Sequence, residues 1–442
     1  MPGRDRFRHV PALRERLDAL GWWHSFELPD GTRIEGVVSV DHLRTRLAQF
    51  PIPDDLRGKR VLDIGAWDGW YSFELERRGA EVVAIDVWDN PRFHEMRARL
   101  GSHVDYRMLD VYDLDPAEIG RFDVVLFLGV LYHLKHPLLA LERVCAVTTD
   151  LAAVDSFVWK ARRGRPSRIT RRAVMEFFES DEFGGQTDNW VAPTIPCLMA
   201  FCRTAGFARV ELRNVLPTSA AVSCTRRWGE SSNAAADPPR LVAVLHNTNF
   251  GINCSSRRDD HLTAWFEGVG GEMTRELIRP EVGGFGVVPI HVGREGDAGW
   301  QTTFRVPPGL PAGWQDVRIR VGEGPPSNPL PVAVDLALPD ADVTITGVAD
   351  GATWAPNRVS VGSGATLSVW VEGLPENADR ANLHVVLEDR PLEITYIGPA
   401  ETDRAVRQVN ALVPADVPLA PAQLRVILGS RESPSVDVDV RP

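Results

Sequence analysis

No stretch of the 442 residues reaches the roughly 18 consecutive apolar side chains that a bilayer-spanning helix needs, so no membrane span is expected. Cysteine is scarce. The five residues, Cys145, Cys197, Cys202, Cys224 and Cys254, are odd in number and none are spaced as C-x-x-C. That pattern supports neither a disulfide framework nor a zinc site, and no metal is expected. The opening MPGRDRFRHVPALRER has no apolar core. No secretory signal is expected, and the reading is cytoplasmic. A basic surplus is also missing. Residues 1–240 hold 33 Lys and Arg against 34 Asp and Glu, and residues 241–442 hold 16 against 26. The second half would repel a phosphate backbone, which disfavours RNA as a partner without excluding it.

What is present is a change of rhythm along the chain. The length calls for two to four domains. VPALRERLDAL (10–20) and VDHLRTRLAQF (40–50) have helical apolar spacing. From Lys59 onward, short apolar runs alternate with amphipathic helices. RVLDIG (60–65), EVVAIDV (81–87), VDYRMLDV (104–111), FDVVLFLGVLY (122–132) and LAAVDSFVW (151–159) are the expected strands. YSFELERRG (71–79), HEMRARLG (94–101), PLLALERVCAVT (137–148) and TIPCLMAFCRTAGF (194–207) are the expected helices. Alternation at this spacing predicts a Rossmann-like, doubly wound parallel sheet. SSNAAADPP (231–239) reads as a linker.

Beyond 240 the chain turns to proline, glycine and short alternating runs, and it repeats itself. LTAWFEGV (262–269) matches LSVWVEGL (367–374), and VVPIHVG (287–293) matches LEITYIG (392–398). QDVRIRVG (315–322) matches AQLRVILG (422–429), and PLPVAV (329–334) matches SVDVDV (435–440). Four matches in order, about 105 residues apart, predict two tandem all-β sandwiches of immunoglobulin size. Trp265 and Trp370 hold equivalent places and are expected in the sandwich cores. NFGINCSSRRDD (249–260) suggests no chemistry. The expected division is an N-terminal helical extension over 1–45, an α/β domain over 46–228, a linker over 229–240, and sandwiches over 241–337 and 338–442.

The first strand runs into Asp63-Ile-Gly65-Ala-Trp67-Asp68-Gly69. Such a turn sets backbone N–H groups at a helix start, where a ligand can sit. Asp86, about 20 residues on, stands where an acid can hold ribose hydroxyls. The G-x-G-x-x-G fingerprint is absent because position 67 is Trp. Asp63 could face a cationic group, Asp110 could reach a base amine, and Gly129 with Val130 could let a ligand lie against backbone.

VLDIGAWDGWYSFELERRGAEVVAIDV, FDVVLFLGVLYHLKHPLLALERV and DNWVAPTIPCLMAFCRTAGF resemble the class I S-adenosylmethionine-dependent methyltransferases. Within them, LGVLYHL and DNWVAP are similar to the branch of tRNA wobble-uridine (5-oxyuridine) methyltransferases. The likeness covers about residues 30–215, and the tail resembles IPT/TIG-like repeats. It implies S-adenosyl-L-methionine as cofactor, held by Asp63, Gly65, Trp67, Asp68, Gly69, Asp86, Val87, Asp110, Val111, Gly129 and Val130. It also places Asn189, Trp190 and Pro193 near the substrate. The branch member that transfers a carboxymethyl group holds that carboxylate with Lys and Trp before the first strand. Here that segment, GTRIEGVVSVDHLRTRLAQF, has neither, so ordinary S-adenosylmethionine is expected.

For catalysis two residues stand out. His133, with an imidazole suited to base work near neutral pH, either takes the acceptor's proton or caps the next helix. Tyr132 either lines the methyl pocket or packs in the core. Trp190 either stacks on a flat or sugar-like acceptor or wedges a loop. KARRGRPSRITRR (160–172) is a phosphate-binding candidate or a solvated loop. The expected activity is O-methylation of a small molecule or glycan. The alternatives are tRNA wobble-uridine methylation and a non-catalytic, cofactor-sensing scaffold.

Overall fold

A computed structural model describes residues 21–159, 171–183, 185–233, 236–296, 299–340, 342–398 and 406–442. The helix expected over 10–20 and most of the basic run 160–172 lie outside these residues.

Helix α1 (Val40–Leu47) opens the α/β region, its first turn capped by Ser39 Oγ accepting from the His42 amide. Leu43 and Leu47 are buried in one cluster with Val61 and Leu75. The border expected at 45/46 therefore falls inside a helix that packs on the sheet. Strands β1 (Arg60–Ile64), β2 (Glu81–Asp86), β3 (Asp105–Met108), β4 (Phe122–Leu128), β5 (Thr148–Phe157), β6 (Arg209–Val215) and β7 (Ser219–Thr225) form one seven-stranded sheet. Its order is β3-β2-β1-β4-β5-β7-β6, parallel as far as β5 and with β7 antiparallel to both neighbours. Helices α2 (Trp70–Arg77), α3 (Pro91–Leu100), α4 (Pro137–Val147) and α5 (Ile195–Thr204) accompany it. Two separate apolar clusters use opposite residues of the same strands, Leu62 and Ile64 in one and Val61 in the other. The central strands are thus buried on both faces, which is why they read as continuous apolar runs.

Several expected strands end early. β3 stops at Met108, and a 3-10 turn spans Val111–Asp113. β4 stops at Leu128, with a second 3-10 turn over Leu131–His133. In both cases apolar residues past the strand end serve a turn that redirects the chain, toward β4 in the first case and toward α4 in the second.

The tail holds two modules of matching strand order. In the first, a four-stranded sheet runs Arg240–His246, His261–Glu267, Gly299–Arg305, Pro289–Glu295. In the second, the corresponding order is Thr344–Asp350, Thr366–Glu372, Val406–Leu412, Ile394–Ile397. Each is backed by a further sheet, and each pair shares one apolar cluster. Trp265 and Trp370 are not in these cores: Leu262, Ala264 and Phe266, and Leu367, Val369 and Val371, point inward, and alternation turns both tryptophans outward.

The first module is keyed into the α/β region. Arg226, just past β7, is 0% exposed. Its guanidinium donates to the Cys145 carbonyl at 3.0 Å and the Pro308 carbonyl at 2.9 Å, and lies 4.1 Å from the Phe285 ring centre. The segment expected as a linker is pinned too: Ser231 Oγ and the Asn233 amide both donate to the Glu323 carbonyl.

Candidate active site

The strand register decides where the site lies. Ile64 pairs with both Ile85 and Phe127, Asp86 with Met108, and Leu128 with Asp155. Gly65, Asp86, Gly129 and Asp155 therefore reach the carboxyl edge at one level, the edge where open α/β sheets bind ligands.

The glycine turn closes tightly. The Gly65 and Ala66 amides donate to the Ile85 carbonyl at 2.9 and 3.2 Å. At Gly65 φ is +71°, and a Cβ would come within 2.5 Å of Val130 Cγ2. At Gly69 φ is +92°, and a Cβ would meet the Phe73 and Phe93 rings at 2.6–2.7 Å. Trp67 also takes a positive φ, 55°, unusual for a bulky residue. Its amide donates to Asp86 Oδ2 at 3.1 Å, and the Val87 amide to Asp86 Oδ1 at 2.8 Å. The carboxylate, with about four lone pairs, keeps capacity for a further donor. Burial raises the Asp86 carboxyl above its ordinary value, against the pull of these amides. Asp63, also buried, accepts from Ser72 Oγ at 2.6 Å. Burial pushes its carboxyl up to about 6, so a cationic partner there would restore the ionised form.

The remaining predicted cofactor residues divide. Val87 is exposed beside Trp67, and the Trp67 and Trp88 rings meet edge-to-face at 5.7 Å. Asp110 caps its 3-10 turn, accepting from the Tyr112 amide at 3.0 Å, and Val111 is buried in the core below. Asp68 departs from expectation. Its carboxylate accepts the Trp23 and His24 amides at 2.8 and 2.9 Å and pairs with the His24 ring. It ties residues 22–26 over the turn instead of facing the edge.

A second group at this level was not anticipated. Arg46, from α1, pairs with buried Asp155 at 2.5 Å. Its Nη2 lies 3.6 Å, and Tyr132 Oη 3.8 Å, from where a Cβ on Gly129 would be. Asp155 Oδ2 and Tyr71 Oη are buried without a hydrogen-bond partner. Buried polar atoms left open in this way fit a missing ligand. Asp155 had a readable signal, an acid ending a buried apolar strand just as Asp63 and Asp86 do. Arg46, 109 residues away in sequence, had none.

The predicted catalytic pair sits on the 3-10 turn after β4. His133 Nδ1 lies 3.1 Å from the Asp188 carbonyl oxygen. A carbonyl only accepts, so Nδ1 carries the hydrogen and Nε2 holds the lone pair. Burial lowers the imidazole below 6.5, which keeps it neutral near pH 7. Tyr132 packs among Phe157 and Phe183, and burial pushes its phenol up to about 12, so it remains protonated. His136 precedes α4, and its amide donates to Tyr112 Oη.

The substrate candidates reach the same place through the backbone. The Trp190 amide donates to the Tyr132 carbonyl at 2.8 Å. A short ladder pairs Met175–Phe177 with Val191–Pro193, and the Trp159 amide donates to the Pro193 carbonyl. Trp190 lies between Phe177, at 6.2 Å, and Lys135 Nζ, 4.3 Å from its ring centre. Asn189 is buried and spends its amide nitrogen on the Phe183 carbonyl and Gln186, both at 3.0 Å. It shapes the loop, and Pro193 is buried beside it.

Residues 62–150, which span β1 to the start of β5, match the methyltransferase domain family. The chain carries an S-adenosylmethionine-dependent methyltransferase domain. Over 185 residues it is 31% identical to the tRNA U34 carboxymethyltransferase of Pseudomonas syringae pv. tomato, covering 39% of this chain and 53% of that protein. Over 103 residues it is 40% identical to the ubiquinone biosynthesis O-methyltransferase of Hahella chejuensis, covering 22% of this chain and 42% of that protein. The chain thus spans about half the length of the curated relatives it matches. Among solved structures, the N-terminal domain of EvdMO1 with SAH and D-fucose aligns at a TM-score of 0.36 and 22% identity, over 50% of this chain and 97% of that one. Among the described residues, no helix of the methyltransferase domain or the tail is long and apolar enough to cross a membrane, and no group of acids, histidines and cysteines could hold a metal.

Proposed function

We propose that this chain is an O-methyltransferase acting on a small-molecule or glycan acceptor, with His133 as the base. The observation that carries the reading is the His133 geometry: an imidazole at the carboxyl edge whose Nδ1 is held by the Asp188 carbonyl, which leaves Nε2 for an acceptor. Bound there, S-adenosylmethionine supplies a methyl group on a sulfonium, already a strong electrophile. The glycine turn and Asp63 would hold its amino-acid end, together with Arg46 and Asp155. Asp86 would take the ribose hydroxyls, with Val87, Trp88 and Asp110 around the base. The open lone pairs of Asp86 and the unpartnered atoms of Asp155 and Tyr71 fit such a ligand. The chain's own work is then to align the acceptor hydroxyl and draw off its proton through Nε2 of His133. Tyr132, kept protonated, lines the pocket, and Trp190 stacks on the acceptor. Arg46 is already neutralised by Asp155, which favours ordinary S-adenosylmethionine over a carboxylated form.

The tRNA reading rests on the relative named as a tRNA U34 carboxymethyltransferase. The near-neutral first 240 residues and the acidic tail speak for a smaller acceptor. We keep the division proposed from sequence, moving the first border ahead of α1, and assign both β-modules to the immunoglobulin-like class. Incubating the full chain with methyl-labelled cofactor and cell extract separates the readings. Label in the small-molecule or glycan fraction is expected, label in tRNA overturns the acceptor assignment, and cofactor binding without any labelled product overturns the enzymatic one.

A further inference from the structure

Trp265 and Trp370 do not stand outside the β-modules alone. In the second module Trp370 pairs across the sheet with Gln408, and Ser368 with Asn410, which in turn pairs with Tyr396. Directly opposed residues of an antiparallel pair share a face, so these side chains lie on the outer face of one sheet, with Ser368 itself buried and Tyr396 exposed. In the first module the same places hold Trp265 opposite Gln301, and Thr263 opposite Thr303, which pairs with His291. The rings lie flat. A Cβ on Gly347 would come within 3.3 Å of Trp370 Cε3, and one on Gly398 within 3.1 Å of Tyr396 Cε1. A Cβ on Gly293 would likewise meet His291 Nε2 at 2.8 Å.

Each module adds one aromatic from the loop after its first strand. Phe250 and Trp354 are 55% and 57% exposed and take φ of +56° and +61°. Their amides close equivalent turns, to the carbonyls of His246 and Asp350 at 3.0 and 2.9 Å. A left-handed conformation costs an aromatic residue about 1 kcal/mol or more, and a ring more than half exposed recovers little of it by burial. Both repeats nevertheless keep it. In the second module the Trp354 ring lies 6.1 Å from Trp370, the two planes tilted by 44°.

We propose that this outer sheet face, repeated in both modules, binds neutral saccharide. Flat indole and phenol rings accept the C–H face of a sugar ring, and the neighbouring amides and hydroxyls match its hydroxyl groups. Trp354, Trp370, Gln408, Asn410 and Tyr396 carry no formal charge, and Glu372, two residues on from Trp370, is acidic. The modules around them are acidic, 26 acidic against 16 basic residues over 241–442, which repels phosphate-rich or anionic partners. Gln408 Nε2 and Ser368 Oγ already donate to Asn410 Oδ1, and an apolar peptide would still leave Asn410 Nδ2 and Gln408 Oε1 without a partner of their own. The binding is independent of methyl transfer.

The test is an array of neutral and acidic glycans probed with the full chain, followed by titration of the strongest neutral oligosaccharide. Trp265→Ala, Trp370→Ala and the double variant are compared, with circular dichroism and methyltransferase-site ligand binding as controls for folding. Binding to neutral glycans is expected, weakened at least ~10-fold by either change and lost in the double variant. Binding confined to acidic glycans, no binding to neutral ones, or undiminished affinity in a correctly folded double variant overturns the proposal. Gln408→Ala gives a second reading. It removes only a hydrogen-bonding group, and unchanged affinity there would contradict the assigned role of the amides.

Discussion

At the scale of single residues the account turns on a proton. His133 is held neutral by burial and oriented by one carbonyl oxygen. A base whose pKa is lowered in the folded enzyme keeps its working form to lower pH, so the acid limb of kcat/KM should fall below 6.5. Replacing His133 with Gln should cut kcat by about 10²–10⁴-fold, remove that limb, and leave cofactor affinity within a factor of about two. A limb at or above 6.5, or an active His133→Gln enzyme, would show that the imidazole only holds the loop. The residue scale is also where sequence was least informative. Asp63 and Asp86 were legible because an acid interrupting an apolar strand end is conspicuous. Asp68, in the same turn, looked equivalent, and only tertiary structure shows its carboxylate committed to residues 23 and 24. Arg46 belongs to a helix with ordinary periodicity, and its pairing with Asp155 exists only once the chain is folded.

At the scale of elements, the turn between β1 and α2 carries the site, and its glycines are steric requirements. Gly69→Ala and Gly101→Ala make a matched pair. Both positions have positive φ, so each substitution costs about 1 kcal/mol in backbone strain. At Gly101 nothing lies within 4 Å of the added Cβ, whereas at Gly69 it strikes two phenyl rings. Thermal unfolding should show a clearly larger loss for Gly69→Ala; equal losses would mean that the rings yield freely. Elements were the most legible level. Most of the strand and helix order followed from apolar rhythm; β7 (Ser219–Thr225) was not expected, β5 is shifted to Thr148–Phe157, and the ends of β3 and β4 were overextended where apolar residues continue into 3-10 turns. The tryptophans of the tail were misplaced for a related reason. In LTAWFEGV the alternation groups Trp265 with Thr263 and Glu267, an outward set, whereas large apolar size by itself points inward.

At the scale of the whole molecule, the first β-module is joined to the methyltransferase domain by a buried guanidinium. Arg226→Met keeps the bulk and removes the donors, leaving the Pro308 carbonyl without its guanidinium partner at about 1–3 kcal/mol, while the Cys145 carbonyl keeps the Thr148 amide. Urea unfolding should show a lowered midpoint, and limited proteolysis should cut between 226 and 240 in the variant before the native chain. An unchanged midpoint and digestion pattern would mean that the contact contributes nothing to docking. The repeat and the change of composition at 240 made the modular plan readable from sequence, but this joint rests on one arginine among many.

The central claim is that Asp86 and the glycine turn at the carboxyl edge hold the nucleoside of the cofactor. Calorimetric titration of the full chain with S-adenosylhomocysteine tests it most directly. The account predicts saturable one-to-one binding, weakened in Asp86→Ala by about 2 kcal/mol, roughly 30-fold, for the lost hydroxyl contacts. Absence of binding, or equal affinity in the variant, would contradict it.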